Sequence, residues 1–168
     1  MNILALDLAT KTGWALDESG RIESGVQVFD IKRGESPGMR YVRLCRWLDE
    51  IGAKAELVIY EQVVPAPAKF GGASAREIAY GLAAHVQRWC AARKLTGLEC
   101  EHTAVYPSTL KKFATGKGNA KKPDMIAAAL KRGWFRPGQL VDDNQVDARW
   151  LLEYALIEIV PAASLPSL

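Results

Sequence analysis

Four carboxylates stand where a merely solvated acid has little reason to be. Asp7 falls at the end of the apolar run Ile3-Leu4-Ala5-Leu6, and Glu61 closes a second run, Glu56-Leu-Val-Ile-Tyr-Glu61. A charge at the end of a buried strand costs several kcal/mol unless it is paired, coordinated or exposed at a sheet edge. Adjacent strand ends in an open sheet share a cleft, so two acids there invite a cation. Asp143 and Asp147 lie four residues apart near the start of the last helical pattern, on one face and about one turn apart. Four such acids repel one another unless hard, oxygen-preferring divalent ions supply counter-charge, which points to magnesium, with manganese as a substitute. Two such ions about 4 Å apart can hold a scissile phosphate between an activated water and the leaving oxygen, the chemistry of phosphodiester hydrolysis. Taken singly, each acid has a plainer reading: a helix cap or dipole partner for Asp142 or Asp143, a surface acid for Asp7 or Glu61.

A basic block follows the same logic. Between residues 111 and 136 stand Lys111, Lys112, Lys117, Lys121, Lys122, Lys131, Arg132 and Arg136 against the one acid Asp124. Interspersed with Gly116, Gly118 and Asn119, these cations read either as a solvated face or as the footprint of a phosphate backbone, with ammonium and backbone N–H groups as donors. The stretch Gly116-Lys-Gly-Asn-Ala-Lys-Lys122 lacks the spacing and Lys-Ser/Thr ending of a triphosphate-binding loop. His85 and His102 have no ligand-spaced neighbours, which argues against zinc. Trp47, Trp89, Trp134 and Trp150 are expected in the core, and Trp14 either there or along the cleft.

The elements that must position these groups follow from periodicity and punctuation. Residues 3 to 8, a stretch from Gly13, and Arg21 to Ile31 form three antiparallel strands turning at Ser19-Gly20. Ser36-Pro37 offers a cap for a helix with Tyr41, Leu44, Cys45, Leu48 and Ile51 on one face, ending near Gly52. After the strand Glu56 to Glu61 comes a Pro/Gly/Ala-rich loop through Gly72. Ser74 and Glu77 then read as a capping box ahead of a long helix striped by Ile78, Leu82, Val86 and Trp89. A strand over 98–106 leads to a short helix opened by Pro107-Ser108, a helix from about Pro123 to Arg132, and a last helix from about Asp143 to Ile159, halted before Pro161. One mixed sheet covered by helices accommodates this α/β order.

With 168 residues and a net charge of +3, the composition fits one compact domain over 1–160 with a short tail, 161–168, and excludes a disordered chain. No apolar run reaches the roughly 18 residues of a membrane span, and no leader is evident, so the expectation is a cytoplasmic protein without a membrane partner. Cys45, Cys90 and Cys100 are odd in number and read as reduced core thiols.

The segments Asp7-Leu-Ala-Thr-Lys-Thr-Gly13-Trp14, Tyr60-Glu61-Gln62, Tyr106-Pro-Ser-Thr-Leu-Lys-Lys112 with Ala114 to Lys121, and Asp143-Asn-Gln-Val-Asp147-Ala148 together resemble the RuvC-type Holliday junction resolvases, in particular their phage and prophage branch. The likeness runs in order from residue 1 to about 158. It implies a ribonuclease H-like fold with a mixed five-stranded sheet, a homodimer, and magnesium-dependent cutting of symmetrical strands at a four-way DNA junction. Residue by residue, it implies catalytic and metal-binding roles for Asp7, Glu61 and Asp147, with Asp143 as the fourth acid. The commoner family position is Asn144 here, and Asp142 is the other alternative. It further implies DNA contacts from Lys11, Lys111, Lys112, Lys117, Lys121 and Lys122, with Lys121 or Lys122 neutralising transition-state charge. The helix from Ser74 to Arg93 is implied in the dimer contact, where Ile78, Leu82 and Trp89 could serve, although the same stripe reads equally as packing on the chain's own sheet; Phe70 is implied as a contact at the junction centre. Competing readings are an RNA-processing nuclease of the same fold and a junction-binding protein without catalysis. An actin-like phosphotransferase would need two domains about a cleft.

Overall fold

The computed structural model describes residues 1–65, 73–136 and 138–163. Phe70 and most of the loop before the long helix lie outside the described residues. Five strands form one sheet, β1 (Ile3–Asp7), β2 (Lys11–Glu18), β3 (Arg21–Val28), β4 (Leu57–Glu61) and β5 (Glu101–Val105), in the order β3-β2-β1-β4-β5. The first three are antiparallel neighbours, and β1 pairs parallel with β4, as β4 does with β5. The β2–β3 hairpin turns on Ser19 and Gly20 with φ of 56° and 88°. Two positive φ values give a turn whose twist matches that of the flanking strands.

The central strand is apolar on both faces because both faces are covered. Alternation sends Ile3 and Ala5 of β1, with Leu57 and Ile59 of β4, into a core shared with α3 (Pro107–Thr115), α4 (Lys122–Lys131) and α5 (Asp143–Tyr154). Leu4, Leu6, Val58 and Tyr60 pack on the opposite face, against α1 (Met39–Ile51) and α2 (Ala73–Leu95). By the same alternation Asp7 and Glu61, the last residues of β1 and β4, fall on the α5 face. In register they stand one step beyond the Leu6–Tyr60 pair.

Gly13 decides how close α5 comes to them. It pairs with Asp7 across β1–β2, and a Cβ placed on it would lie 1.8 Å from the carbonyl oxygen of Asn144. The first turn of α5 therefore rests on bare strand backbone beside Asp7. Thr12, fully buried next to it, donates its hydroxyl to the Ala9 carbonyl at 2.6 Å and so fixes the turn that follows Asp7.

Several boundaries differ from the sequence reading for physical reasons. The cap of α1 is Gly38, two residues past Ser36, whose hydroxyl accepts the Gly38 N–H at 3.3 Å. Because α2 starts at Ala73, Ser74 lies within its first turn and is not the capping residue. The last helix does not stop before Pro161. It widens into a π turn over Ala155–Ile159, where the Val160 N–H reaches back to Ala155, and then runs on as Val160–Ala163. Leu82, Val86 and Trp89 are buried in the chain's own core, with the partly buried Ile78 packed against it, so the α2 stripe packs on its own sheet. Trp14 packs edge-on against Trp47 on the α1–α2 side, away from Asp7 and Glu61. Among the described residues no helix is long and apolar enough to cross a membrane.

Gly13→Ala is expected to lower folding stability by about 3 kcal/mol or more, since the clash is with backbone and cannot be relieved by a rotamer. In a chain of this size that is a drop of roughly 10 °C in the midpoint of a thermal unfolding curve. An unchanged midpoint would show that α5 does not need the bare strand.

Candidate active site

Three secondary-structure ends meet on the α5 face of the sheet. Asp142 caps α5: its Oδ1 accepts the backbone N–H of Asn144 at 3.0 Å and the Asn144 side-chain amide at 2.9 Å. Its other oxygen pairs with the ammonium of Lys11 on β2. Asp142 and Asn144, both weighed as the fourth acidic position, are thus engaged with one another at the cap. Asp143, the first residue inside the helix, pairs with Lys122 at the start of α4. Asp143, Asp147 and the buried Leu151 follow at intervals of four, so the acids continue the stripe that packs on the sheet.

The lysines are placed by helix starts too. Lys122 opens α4 because Lys121 holds an extended backbone at the cap, its N–H donated to the Asp124 carboxylate at 2.9 Å, with a proline in the first turn. Lys111 lies on α3, which begins at Pro107 directly after β5. The end of β5 is tied to the Glu61 strand by the Gln62 N–H, donated to the Val105 carbonyl at 2.8 Å.

Electrostatics shows that these groups feel one another. Burial pushes the Asp7 carboxyl from 3.8 up to about 8, helped by the negative charges of Asp147, Glu61 and Asp143 and opposed by Lys122. Glu61 rises from 4.5 to about 7 through burial and repulsion from Asp147, with Lys111 opposing. Asp147 rises from 3.8 to about 6, again chiefly by burial; Lys122 and Lys111 oppose the rise and Asp143 adds to it. The hydrogen bond from Lys122 holds Asp143 below its ordinary value. Burial would raise Asp142, but its bonds from Lys11 and Asn144 outweigh that and hold it low. Asp7, Glu61, Asp143 and Asp147 are therefore linked through one another's charges, whereas Asp142 is held chiefly by Lys11 and Asn144 and touches the set only through Asp143.

A cleft of about 270 Å³ bounded by Asp7, Glu61, Gln62, Val64 and Pro107 opens beside this set. Among the described residues no three His, Cys, Asp or Glu side chains are gathered in a geometry that would hold a metal ion as it stands. The donor chemistry nevertheless suits a hard divalent cation. It is all carboxylate oxygen, and burial, reinforced by neighbouring negative charge, pushes Asp7, Glu61 and Asp147 toward protonation, a cost that a bound cation offsets.

Lys112, Lys117 and Lys121 are exposed. The loop between α3 and α4 spends backbone donors internally: the Gly116 N–H goes to Lys112 at 2.8 Å, the Lys117 N–H to the Thr115 hydroxyl at 3.2 Å, and the Ala120 N–H to Lys117 at 3.1 Å. Those three N–H groups are closed to an anion, whereas the ammonium groups of Lys112, Lys117 and Lys121 lie on exposed residues. His85 is taken up by the Gly81 carbonyl and stacks on Tyr41, a packing role. Sequence reasoning missed that Lys11 and Lys122 are paired with acids, and that Gly13 sets the approach of α5. A glycine inside a strand pattern was the available signal for the second.

No family model matches the chain, and no curated protein does. Its fold has clear counterparts among solved structures. The chain superposes on Thermus thermophilus RuvC with a TM-score of 0.64 at 17% identity, over 93% of this chain and 96% of that one. The structure of T. thermophilus RuvC in complex with Holliday junction substrate gives 0.58 at 16% identity over 90% of each chain. The yeast mitochondrial Holliday junction resolvase Ydc2 gives 0.60 at 12% identity, over 89% of this chain and 75% of Ydc2. The fold is thus the RuvC-type, ribonuclease H-like one that the sequence motifs implied.

The raised carboxyls set a pH dependence. A group whose pKa is higher folded than unfolded favours the fold while protonated, and that contribution is lost as pH climbs through the folded value. In chelator, the acids should therefore progressively destabilise the protein from about pH 4 to about pH 8. Asp7→Asn should match the parent protein below about pH 4 and exceed it near pH 9 by on the order of a few kcal/mol, several degrees in a thermal melt. A difference that stays constant with pH would show that Asp7 is not the strained member of the set.

Proposed function

We propose that this chain is a divalent-metal-dependent endonuclease that resolves four-way DNA junctions. The observation that carries the reading is the coupled set of Asp7, Glu61, Asp143 and Asp147 at adjacent strand ends and the start of α5, with Lys111 and Lys122 inside the same field. The resolvase fold neighbours support it, one of them a RuvC complex with Holliday junction substrate.

Asp7, Glu61, Asp147 and Asp143 are the residues that would hold magnesium, or manganese in its place. The ion would supply counter-charge for the phosphate and activation of the attacking water. The chain's own groups do the rest. Lys122 neutralises Asp143 in the free protein and lies within reach of the charge that builds on a scissile phosphate. The charge of Lys111 offsets Glu61 and Asp147. Lys112, Lys117 and Lys121 are exposed and supply attraction for the phosphate backbone without base choice, and Lys11 adds to this by exchanging Asp142 for a phosphate. Cutting two symmetrical strands needs two acid sets, and one chain provides one; we therefore include a homodimer in the proposal. Its contact draws on the outer face of α2, where Tyr80 and Gln87 are exposed, since the inner stripe is used within the chain. A cytoplasmic setting accords with three free cysteines.

The test is incubation with synthetic four-way, three-way and duplex DNA and a structured RNA, with and without magnesium, read on strand-resolved gels. Symmetrical magnesium-dependent cuts confined to the four-way junction are expected. Asp7→Asn and Asp147→Asn should each retain junction binding while slowing cleavage by about 100-fold or more. Cleavage by Asp7→Asn at the parent rate would remove the acids from the chemistry, and preferential cutting of the RNA would reassign the substrate. Lys117→Ala combined with Lys121→Ala should weaken binding and reduce the slope of log affinity against log salt by about 2. An unaltered slope would place the DNA elsewhere on the surface.

A further inference from the structure

Behind the sheet, on the face away from the acids, two thiols touch. Cys90 lies on the inner side of α2 and Cys100 immediately before β5, each about 1% exposed, with their sulfurs 3.4 Å apart. Arg93, one turn beyond Cys90, lies against Trp89 with its guanidinium 4.7 Å from the ring centre. One of its nitrogens donates to the Ala53 carbonyl at 2.8 Å, but its Nε is buried with no hydrogen-bond partner among the described residues. A cation is thus held beside a thiol pair with part of its hydrogen-bonding capacity unused.

We propose that Cys90 and Cys100 are a reversible dithiol–disulfide site that exchanges with low-molecular-weight disulfides, Cys100 entering first and Cys90 resolving. The Cys100 thiolate attacks one sulfur of the small disulfide, forming a mixed disulfide and releasing one small thiolate. The Cys90 sulfur, after giving up its proton, attacks the Cys100 sulfur of that mixed disulfide. This forms the Cys90–Cys100 bond and releases the second small molecule as its thiol. Two protein thiols are oxidised and one small disulfide is reduced.

The order follows from the surroundings. Contact with Cys90, and then the Arg93 charge, hold the Cys100 thiol below its ordinary value against its burial, whereas the same contact and burial push Cys90 up. Access follows from position. Cys100 ends an exposed turn, residues 96–99, in which Gly97 takes a φ of +81° and Leu98 is half exposed. Inward it is tied by the Leu98 N–H to the Arg93 carbonyl at 3.0 Å and flanked by a surface pair between Lys94 and Glu101. Opening such a turn sacrifices little of the core, which makes it a low-cost local fluctuation. Cys45 on α1 is half-buried beside Arg88, outside this pair, and serves as an internal reference.

The experiment treats the reduced full-length protein with oxidised glutathione under native conditions, traps free thiols with iodoacetamide and maps peptides by mass spectrometry over time. The expected product is a Cys90–Cys100 disulfide excluding Cys45, reversed by dithiothreitol, with an unchanged far-ultraviolet circular dichroism spectrum. Cys90→Ser should accumulate glutathione on Cys100. In Cys100→Ser the adduct on Cys90 should form at least about tenfold more slowly. If a serine variant does not fold, the alanine variant replaces it, and the wild-type mapping decides alone if neither folds. The proposal is overturned if Cys90 and Cys100 remain free thiols after Cys45 has reacted, or if Cys90 takes up glutathione faster than Cys100.

Discussion

The burial of mutually repelling carboxylates at the ends of two adjacent strands is the constraint around which this face of the molecule is arranged. Asp7 and Glu61 are neighbours because β1 and β4 run parallel side by side. They stay in place because the strands behind them are buried on both faces. Each acid is the polar end of an apolar column, Ile3-Ala5 and Leu57-Ile59, so the core that fixes the strands also aims the carboxylates. Loss of a strand's register by one residue would turn its acid to the other face.

The third and fourth acids come from a helix, and the helix is admitted by the sheet. Gly13 leaves the space into which the Asn144 carbonyl settles, opposite the residue whose charge Asp143 and Asp147 perturb. A side chain there would separate the two halves of the acid set while leaving all four acids present. The geometry thus depends on a residue that carries no functional group at all.

Much of this was legible in the sequence because it rests on local signals. Acids closing apolar runs, an i to i+4 acid pair, a Ser-Gly turn and glycine stops gave the three antiparallel strands, the strand after α1 and the order of helices. What was not legible depends on contacts between distant segments. The pairings of Lys11 with Asp142 and Lys122 with Asp143 join residues 131 and 21 apart in the chain. No periodicity encodes them. The α2 stripe was ambiguous for the same reason, since an apolar helix face reads alike whether its own sheet or a second copy covers it. In the fold Leu82 and Val86 are covered by the chain's own core. Pro161 misled because a proline ordinarily ends a helix, whereas here a π turn precedes it and the helix continues.

Asp142 and Asp143 have neighbouring places in the sequence but different local chemistry in the fold. Both are acids at the start of the same helix, and either could have faced the strands. A cap must keep an extended backbone and turn its side chain back onto the first N–H groups, and Asp142 does so toward Asn144. That role commits one of its oxygens, and Lys11 takes the other. Asp143 has helical backbone and no capping duty, so its side chain is free to lie on the stripe with Asp147. Its partner there is a single ammonium, Lys122, whose charge also reaches Asp7 and Asp147. Two lysines, Lys122 and Lys111, among four carboxylates leave the set short of positive charge, and that deficit is what a divalent ion is suited to fill.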